Sequence, residues 1–294
     1  KYKRILKGSV VLMKGIVKEK GELLDTLFTL FKDLSKKKIK NYLKDGGVLV
    51  NGKVVTKYNT IVKKNDVIEL SKTNKTHKKS NFDIIYEDEY FFVINKPAGL
   101  LSISTTKEKE KTAYHYVREF IKNRKKSDKI FVLHRLDKDT SGVLVFVKDN
   151  TLKNLLQNNW DKYVKTREYI ALVTGNVKDI DDYTCYLKEV GPDKVIVTNK
   201  KEGKVAVTSI KTINKNNKYS LVKVNIKTGR RNQIRVVLNH LGSPIVGDKK
   251  YGGNKSNRLY LHASKLIITN PLNNKTYTFE SSVPTSFKKV GNLK

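Results

Sequence analysis

From Glu22 the chain reads ELLDTLFTLFKDL, and Leu23, Leu24, Leu27, Phe28, Phe31 and Leu34 recur at helical spacing, which places them on one face. Ser35 is placed to cap a second helix, KKKIKNYLK, whose apolar side carries Ile39, Tyr42 and Leu43 and leaves Lys36, Lys37, Lys38 and Lys40 opposite. Gly46 and Gly47 end that helix. VLVNGKVV then predicts two short strands about an Asn51-Gly52 turn, and NDVIEL a third, entered through Asn65-Asp66. The result is a helix-helix-hairpin unit of roughly 60 residues, marginal in size but able to fold.

Ser71 to Asn81, SKTNKTHKKSN, holds no apolar residue and reads as a flexible linker. Beyond it the pattern turns to strands. FDIIYEDEYFFVINKPAG predicts two strands about an acidic turn, and TAYHYVREFIKNRKK a helix with Tyr114, Val117, Phe120 and Ile121 on one side. Strand-like runs follow at KIFVL, VLVFVK, EYIALVTG, YTCYL, KVIVT, KVAVTSIKTI and YSLVKVNIKTG, with helices at TLKNLLQNNW and RNQIRVVLNHLG. Many strands with few helices between them predict an α+β domain with a mixed, mainly antiparallel sheet and flanking helices. The expected organisation is an N-terminal extension over 1–12, the small unit over 13–70, a linker over 71–81 and the large domain over 82–294.

Charge decides what such a chain meets. Its 294 residues carry a formal net charge of +33, a field that draws phosphate-rich partners. Nucleic acid is the leading partner and an anionic membrane surface the rival. No apolar run approaches the ~18 residues of a spanning helix, so a soluble, cytoplasmic protein is expected. The single Cys185 excludes an intramolecular disulfide framework and reads as a small buried hydrophobe. Nine of the 61 basic residues are Arg and the rest Lys. Arginines that survive in a lysine-rich chain mark places where a planar, bidentate donor is needed. Six of them, Arg135, Arg167, Arg230, Arg231, Arg235 and Arg258, fall in segments that stand out on other grounds.

The most informative segment is FVLHRLDKDTSGVLVFVKD, where two apolar runs bracket a polar loop holding His134, Arg135, Asp137, Asp139, Thr140 and Ser141. Rigid flanks suit reactive side chains. The residues also fit an ordinary turn, and Asp137 and Asp139 have the Asp-x-Asp spacing of a metal-dependent phosphatase nucleophile. Against the phosphatase, Arg135 interrupts the apolar run and no later acidic cluster stands ready for Mg²⁺. No Walker loop, GxGxxG after a strand or His-x-x-x-His pair occurs.

HRLDKDTSG resembles the signature of the RluA-type pseudouridine synthases. Further segments of that family follow in order: NKPAGLL upstream, then KTREYIALVTG, TGRRNQIRVVLNHLGSPIVGDKKYG and RLYLHASKL, together covering about Phe82 to Pro284. Asn232 and Val237 stand where the family commonly has His. The small unit, from Glu22 to about Leu70, resembles the alpha-L RNA-binding domain first named for protein four of the small ribosomal subunit. It departs from that pattern at Leu24, Lys36 and Asn65.

The resemblance implies isomerisation of uridine to pseudouridine in RNA, with no cofactor and no metal. It implies Asp137 as the essential carboxylate, Arg235 as its guanidinium partner, and Tyr169 against the target base. Arg135 is implied to enter the RNA in place of the displaced base, with His134 and Thr140 as loop-shaping members of the substrate-binding set; Asp139 is left to turn chemistry. Lys36, Lys37, Lys38, Lys40, Asn51 and Lys53 form the RNA-binding set of the small unit. That lysine run is equally readable as a solvated face. Lys96 and the Lys249-Lys250 pair are further phosphate-binding candidates. The expected substrate is large-subunit ribosomal RNA, with transfer RNA as an alternative and a non-catalytic ribosome-assembly factor as another. A monomer without an obligate protein partner and without membrane attachment is expected.

Overall fold

The computed structural model describes residues 5–6, 9–44, 46–72, 82–106, 108–124, 127–191 and 194–292. The chain divides into two compact units, Lys1–Ser80 and Asn81–Lys294.

The small unit contains β1 (Ile5–Leu6), β2 (Ser9–Ile16), β3 (Gly21–Glu22), α1 (Leu23–Leu30), α2 (Lys36–Lys44), β4 (Val48–Val50), β5 (Lys53–Val54), β6 (Ile61–Val62) and β7 (Val67–Lys72). The two helices pair their apolar faces over the sheet: Leu23, Leu27, Phe31, Ile39 and Leu43 are buried with Val48, Ile68 and Leu70. Ser35 caps α2 as expected, its Oγ accepting the Lys38 N–H at 3.3 Å. The sheet runs β1-β2-β7-β4-β5, while β3 and β6 form a separate pair. Here two expected boundaries are corrected. β2 crosses the line drawn between residues 12 and 13 and pairs with β7 from Val10 opposite Lys72 to Ile16 opposite Val67. The supposed extension therefore covers a sheet edge that would otherwise be open. Ser71 and Lys72 belong to β7, and the rest of the expected linker, 73–81, lies outside the described residues.

The large unit begins with β8 (Asp83–Glu87) and β9 (Phe91–Lys96), followed by α3 (Ala113–Arg124), β10 (Phe131–Val132) and β11 (Ser141–Val147). Two helices, α4 (Asn150–Asn158) and α5 (Trp160–Tyr163), lead into β12 (Val164–Thr174), β13 (Ile180–Val190), β14 (Lys194–Thr198), β15 (Lys204–Lys215) and β16 (Tyr219–Ile226). The chain closes with α6 (Gln233–His240), β17 (Leu261–Thr269), β18 (Thr276–Glu280) and α7 (Ser286–Gly291). The sheet order is β14-β13-β15-β16-β12-β17-β11-β9-β8, with β10 on β11 and β18 on β17. β11 and β17 run parallel, and the neighbouring pairs β12–β17 and β9–β11 are antiparallel, so the sheet is mixed as expected. β17 was not expected as a strand, and neither β18 nor α7 had any sequence expectation. Their signal is short: Tyr277 and Phe279 alternate inward, and Phe287 is a single fully buried anchor beneath Tyr260.

This topology brings distant segments together. In one register row Gly142 on β11, Ala263 on β17 and Tyr169 on β12 lie side by side. The loop before β11, the middle of β12 and the start of α6 thus face one cleft.

Candidate active site

The loop between β10 and β11 is built from buried anchors outward. Leu133, Leu136 and Thr140 are buried, while Arg135, Lys138 and Asp139 project outward and are exposed. The Ser102 hydroxyl donates to the Leu136 carbonyl at 2.7 Å and accepts its N–H at 3.0 Å, as a neighbouring strand would. Gly99 N–H donates to the Lys138 carbonyl at 2.9 Å, and Thr140 N–H to the Asp137 carbonyl at 3.2 Å. Gly142 has φ +113°, and a Cβ there would stand 2.1 Å from the Ala263 carbonyl oxygen, so only glycine admits this approach of β11 to β17.

Lys96 corrects an expectation. It is fully buried, and its ammonium donates to the carbonyls of Pro97, Leu100 and Lys138 at 3.0, 2.7 and 3.0 Å. Burial pushes its pKa down to about 7 against the opposing pull of Asp139 and Asp137. It is a clamp beneath the loop and is out of reach of a phosphate.

Asp137, Arg235 and Tyr169 line one cleft of about 1130 Å³, together with Arg135, His134 and Thr140. The Asp137 side chain is 36% exposed and the Arg235 side chain 11%, with Nη1 to Oδ2 at 3.7 Å. That spacing is an ion pair without a hydrogen bond. The guanidinium's direct partner is instead Asp248, a residue that no sequence motif singled out: Nε and Nη2 donate to its two carboxylate oxygens, both at 2.8 Å. Burial works to raise the Asp248 carboxyl, but Arg235 and the backbone N–H groups of Lys250 and Tyr251 hold it below the usual range. Burial likewise disfavours the charge of Arg235, and the Asp248 bond overcomes this and raises its pKa. Asp248 lies in the GDKKYG stretch. The signal there was an acid flanked by Gly247 in an otherwise basic turn.

Tyr169 packs at the junction of two core clusters while still lining the cleft. Burial raises its phenol to about 12, with Arg167 lowering and Asp137 raising it, so at neutral pH it is a hydrogen-bond donor. His134 is turned inward. Its Nε2 accepts the Val145 N–H at 3.1 Å, and burial, aided by Arg167, lowers its pKa to about 4. His134 and buried Thr140 thus shape the loop, whereas Arg135 reaches out from it. Behind the loop, Arg258 donates to Ser141 Oγ at 2.6 Å, and Ser141 meets His262 Nδ1 at 2.8 Å. Among the described residues no group of three His, Cys, Asp or Glu side chains could hold a metal ion.

In the small unit Lys36, Lys37, Lys38 and Lys40 are exposed on α2, and Lys53 on the hairpin. Asn51, also exposed, has a part in the fold. At φ +50° its amide donates to Asp66 at 2.8 Å and accepts from the Val67 N–H at 2.9 Å, tying the hairpin turn to β7.

An acid, a guanidinium and a phenol set in a large cleft of a mixed sheet, in a chain that also carries a compact unit with a lysine-studded helix, define an enzyme with a polyanionic substrate. Comparison with known proteins places it: the chain belongs to the RNA pseudouridine synthase family, whose RNA pseudouridylate synthase profile matches residues 90–240, with an S4 domain over residues 23–68. An uncharacterized RNA pseudouridine synthase of Mycoplasma pneumoniae is 31% identical, and the match covers 93% of either chain. The ribosomal large subunit pseudouridine synthase D of Vibrio parahaemolyticus is 28% identical over 90% of this chain and 88% of its own. The tRNA pseudouridine synthase C of the same organism is 30% identical over 71% of this chain and 93% of its own. Human RNA pseudouridylate synthase domain containing 4 shares the fold, with a TM-score of 0.58 at 22% identity, over 72% of this chain and 94% of that one. The protein is an RNA-modifying isomerase, and none of its described helices is long and apolar enough to cross a membrane.

Proposed function

We propose that this synthase converts uridine to pseudouridine in large-subunit ribosomal RNA, with Asp137 as the essential carboxylate. The observation that carries the reading is the half-exposed Asp137 carboxylate in the cleft, faced by Arg235 at 3.7 Å. A flipped uridine is broken at C1′–N1, the uracil turns in place, and C5 bonds to C1′. The C5 proton departs and N1 gains one, so the isomerisation balances without an external group. Asp137 attacks or deprotonates the sugar or base, and Arg235 stabilises the carboxylate's charge. Tyr169, protonated at neutral pH, offers its hydroxyl beside the base. Arg135, exposed one residue before buried Leu136, stacks into the space the base leaves, where an ammonium would not.

Ribosomal RNA is favoured because the large-subunit relative matches 90% of this chain, against 71% for the transfer-RNA relative. The lysine face of α2 acts as an auxiliary grip on the polyanion. In this reading the enzyme works in the cytoplasm alongside that RNA, and as a monomer. The test is to incubate ribosomal RNA from cells lacking the gene, and transfer RNA transcripts, with wild type and Asp137→Asn and to map pseudouridine by adduct-dependent primer extension. New sites on ribosomal RNA are expected for wild type, with at least about 10⁴-fold less turnover for Asp137→Asn. An equally active Asp137→Asn removes the carboxylate from the mechanism, and sites confined to transfer RNA reassign the substrate.

A further inference from the structure

We infer that Arg167, held flat by Trp160, is a substrate-binding residue that takes a phosphodiester of the RNA beside the flipped uridine. The inference rests on the reading of this cleft as the uridine's binding site.

Both residues line the cleft, Arg167 from β12 two places before Tyr169 and Trp160 from α5. The guanidinium is bounded on three sides. Nη2 donates to the Lys227 carbonyl, the guanidinium carbon lies 5.7 Å from the Trp160 ring, and a Cβ at Gly229 would stand 3.0 Å from Nη1. Trp160 is itself seated on the core of the large unit, with the His134 ring 6.1 Å from its own. The indole Nε1–H is buried and meets no acceptor among the described residues, so the seat serves the face of the ring and not its N–H.

Among the described residues no carboxylate lies within ion-pair distance of Arg167, unlike Arg124, Arg231 and Arg235, which meet Glu87, Glu189 and the pair Asp137 and Asp248. Glu168, its neighbour in sequence, is taken by Lys223, and exposed Asp161 acts on it only from a distance. Burial disfavours the charge of Arg167. A cation taken partly out of water without a partner is costly, and an incoming anion recovers that cost. The target base is neutral, so the anion that accompanies it into the cleft is a phosphodiester of its own strand. Apart from the bond to Lys227, the guanidinium N–H groups find no acceptor among the described residues. A guanidinium matches two phosphate oxygens at once, whereas a compact ammonium would offer no plane to the indole and no fork to the phosphate.

The experiment uses the full chain and a short RNA spanning the mapped uridine, in which one phosphate at a time is replaced by a neutral methylphosphonate. One linkage beside the uridine is expected to weaken wild-type binding about tenfold, and the same linkage to cost Arg167→Gln less than about twofold, the signature of a lost pair. On unmodified RNA, Arg167→Gln raises KM about tenfold, lowers the slope of log affinity against log salt by about 0.7, and keeps kcat at saturation within about threefold. Trp160→Leu, which releases the guanidinium, is expected to lose about threefold in affinity with the slope retained. Trp160→Phe keeps a flat ring and drops only the buried Nε1–H, and it stays within about twofold of wild type. A scan in which no linkage loses its penalty in Arg167→Gln, an unchanged salt slope, or a loss confined to kcat would each overturn the inference, the last because it would make Arg167 a support for Tyr169. Should Arg167→Gln fail to fold, the same scan on Trp160→Leu decides: a smaller penalty at one linkage sustains the contact, and an unchanged pattern overturns it. Sites confined to transfer RNA, or an active Asp137→Asn, would change the substrate or the mechanism proposed above and leave this contact standing, since the scan reads binding alone.

Discussion

The lysine face of α2 and the arginines of the cleft are both positive surfaces, yet they are built in opposite ways. Lys36, Lys37, Lys38 and Lys40 stand exposed on a helix whose only fixed side is the apolar one, Ile39 and Leu43. Their charges act through solvent, where position matters little and number matters much. In the cleft unit three guanidinium groups are placed. Arg235 is bolted to Asp248, Arg258 donates to Ser141, and Arg167 donates to the Lys227 carbonyl while its charge lies 5.7 Å from the Trp160 ring. Collecting a polyanion needs charge density, whereas acting on one atom of it needs a planar group held to a fraction of an ångström. A genome that writes Lys almost everywhere can supply the first with any cation, but the second only with Arg.

Exchanging the two kinds of cation tests this contrast most severely. Arg235→Lys is expected to lower kcat by about 10²–10³, because an ammonium cannot fork onto Asp248 and still present a third edge to Asp137. The reverse exchange, arginine at all four α2 positions, is expected to leave both kcat and RNA affinity within about threefold. Full turnover in Arg235→Lys, measured under single-turnover conditions, would erase the distinction.

Acid gives a second, smaller separation. His262 is fully buried, and burial lowers its pKa to about 4 from the 6.5 of an unfolded chain, against a favourable bond to the Ser281 carbonyl. Below pH 6.5 the unfolded chain takes up this proton first, so stability is fully present above that pH and falls as pH drops towards 4. The span corresponds to about 3 kcal/mol, and His134 is displaced in the same direction. Melting curves between pH 7.5 and 4.5 are expected to show the large unit losing stability, and His262→Gln to flatten that dependence. An equal slope in the variant would assign the acid sensitivity to other groups. The smallest effect falls on the grip. Glutamine at Lys36, Lys37, Lys38 and Lys40 is expected to weaken RNA binding about tenfold, to reduce the salt slope by about 0.7 for each phosphate no longer neutralised, and to spare kcat at saturating RNA. A fall in kcat at saturation would mean that the α2 lysines do more than collect substrate.

Much of this molecule was legible in its residues. Both helices of the small unit, the hairpin at Asn51-Gly52 and nearly every strand of the large sheet follow from apolar spacing and turn residues. Such signals are local: a face must be buried wherever the chain goes, and a left-handed turn needs Asn or Gly whatever surrounds it. The misreadings share one cause. Residues 9–12 read as an extension because their strand partners are the short β1 and, some sixty residues away, β7. Lys96 read as a phosphate ligand because a lysine's letter does not say that three carbonyls surround it.

Residue order alone establishes that this chain has a basic helix-hairpin unit and a mixed-sheet domain, and the family resemblance marks the loop at Asp137 as the proposed place for chemistry. It points to Asp137, Tyr169 and Arg235 because each sits in a contiguous motif. How those groups meet is settled by the folded chain. Arg235 belongs first to Asp248 and only at 3.7 Å to Asp137, and Asn232 links it to Tyr251. A hydrogen-bond partner is chosen by distance and angle after the sheet has closed, and no local pattern encodes which of two carboxylates a guanidinium will reach.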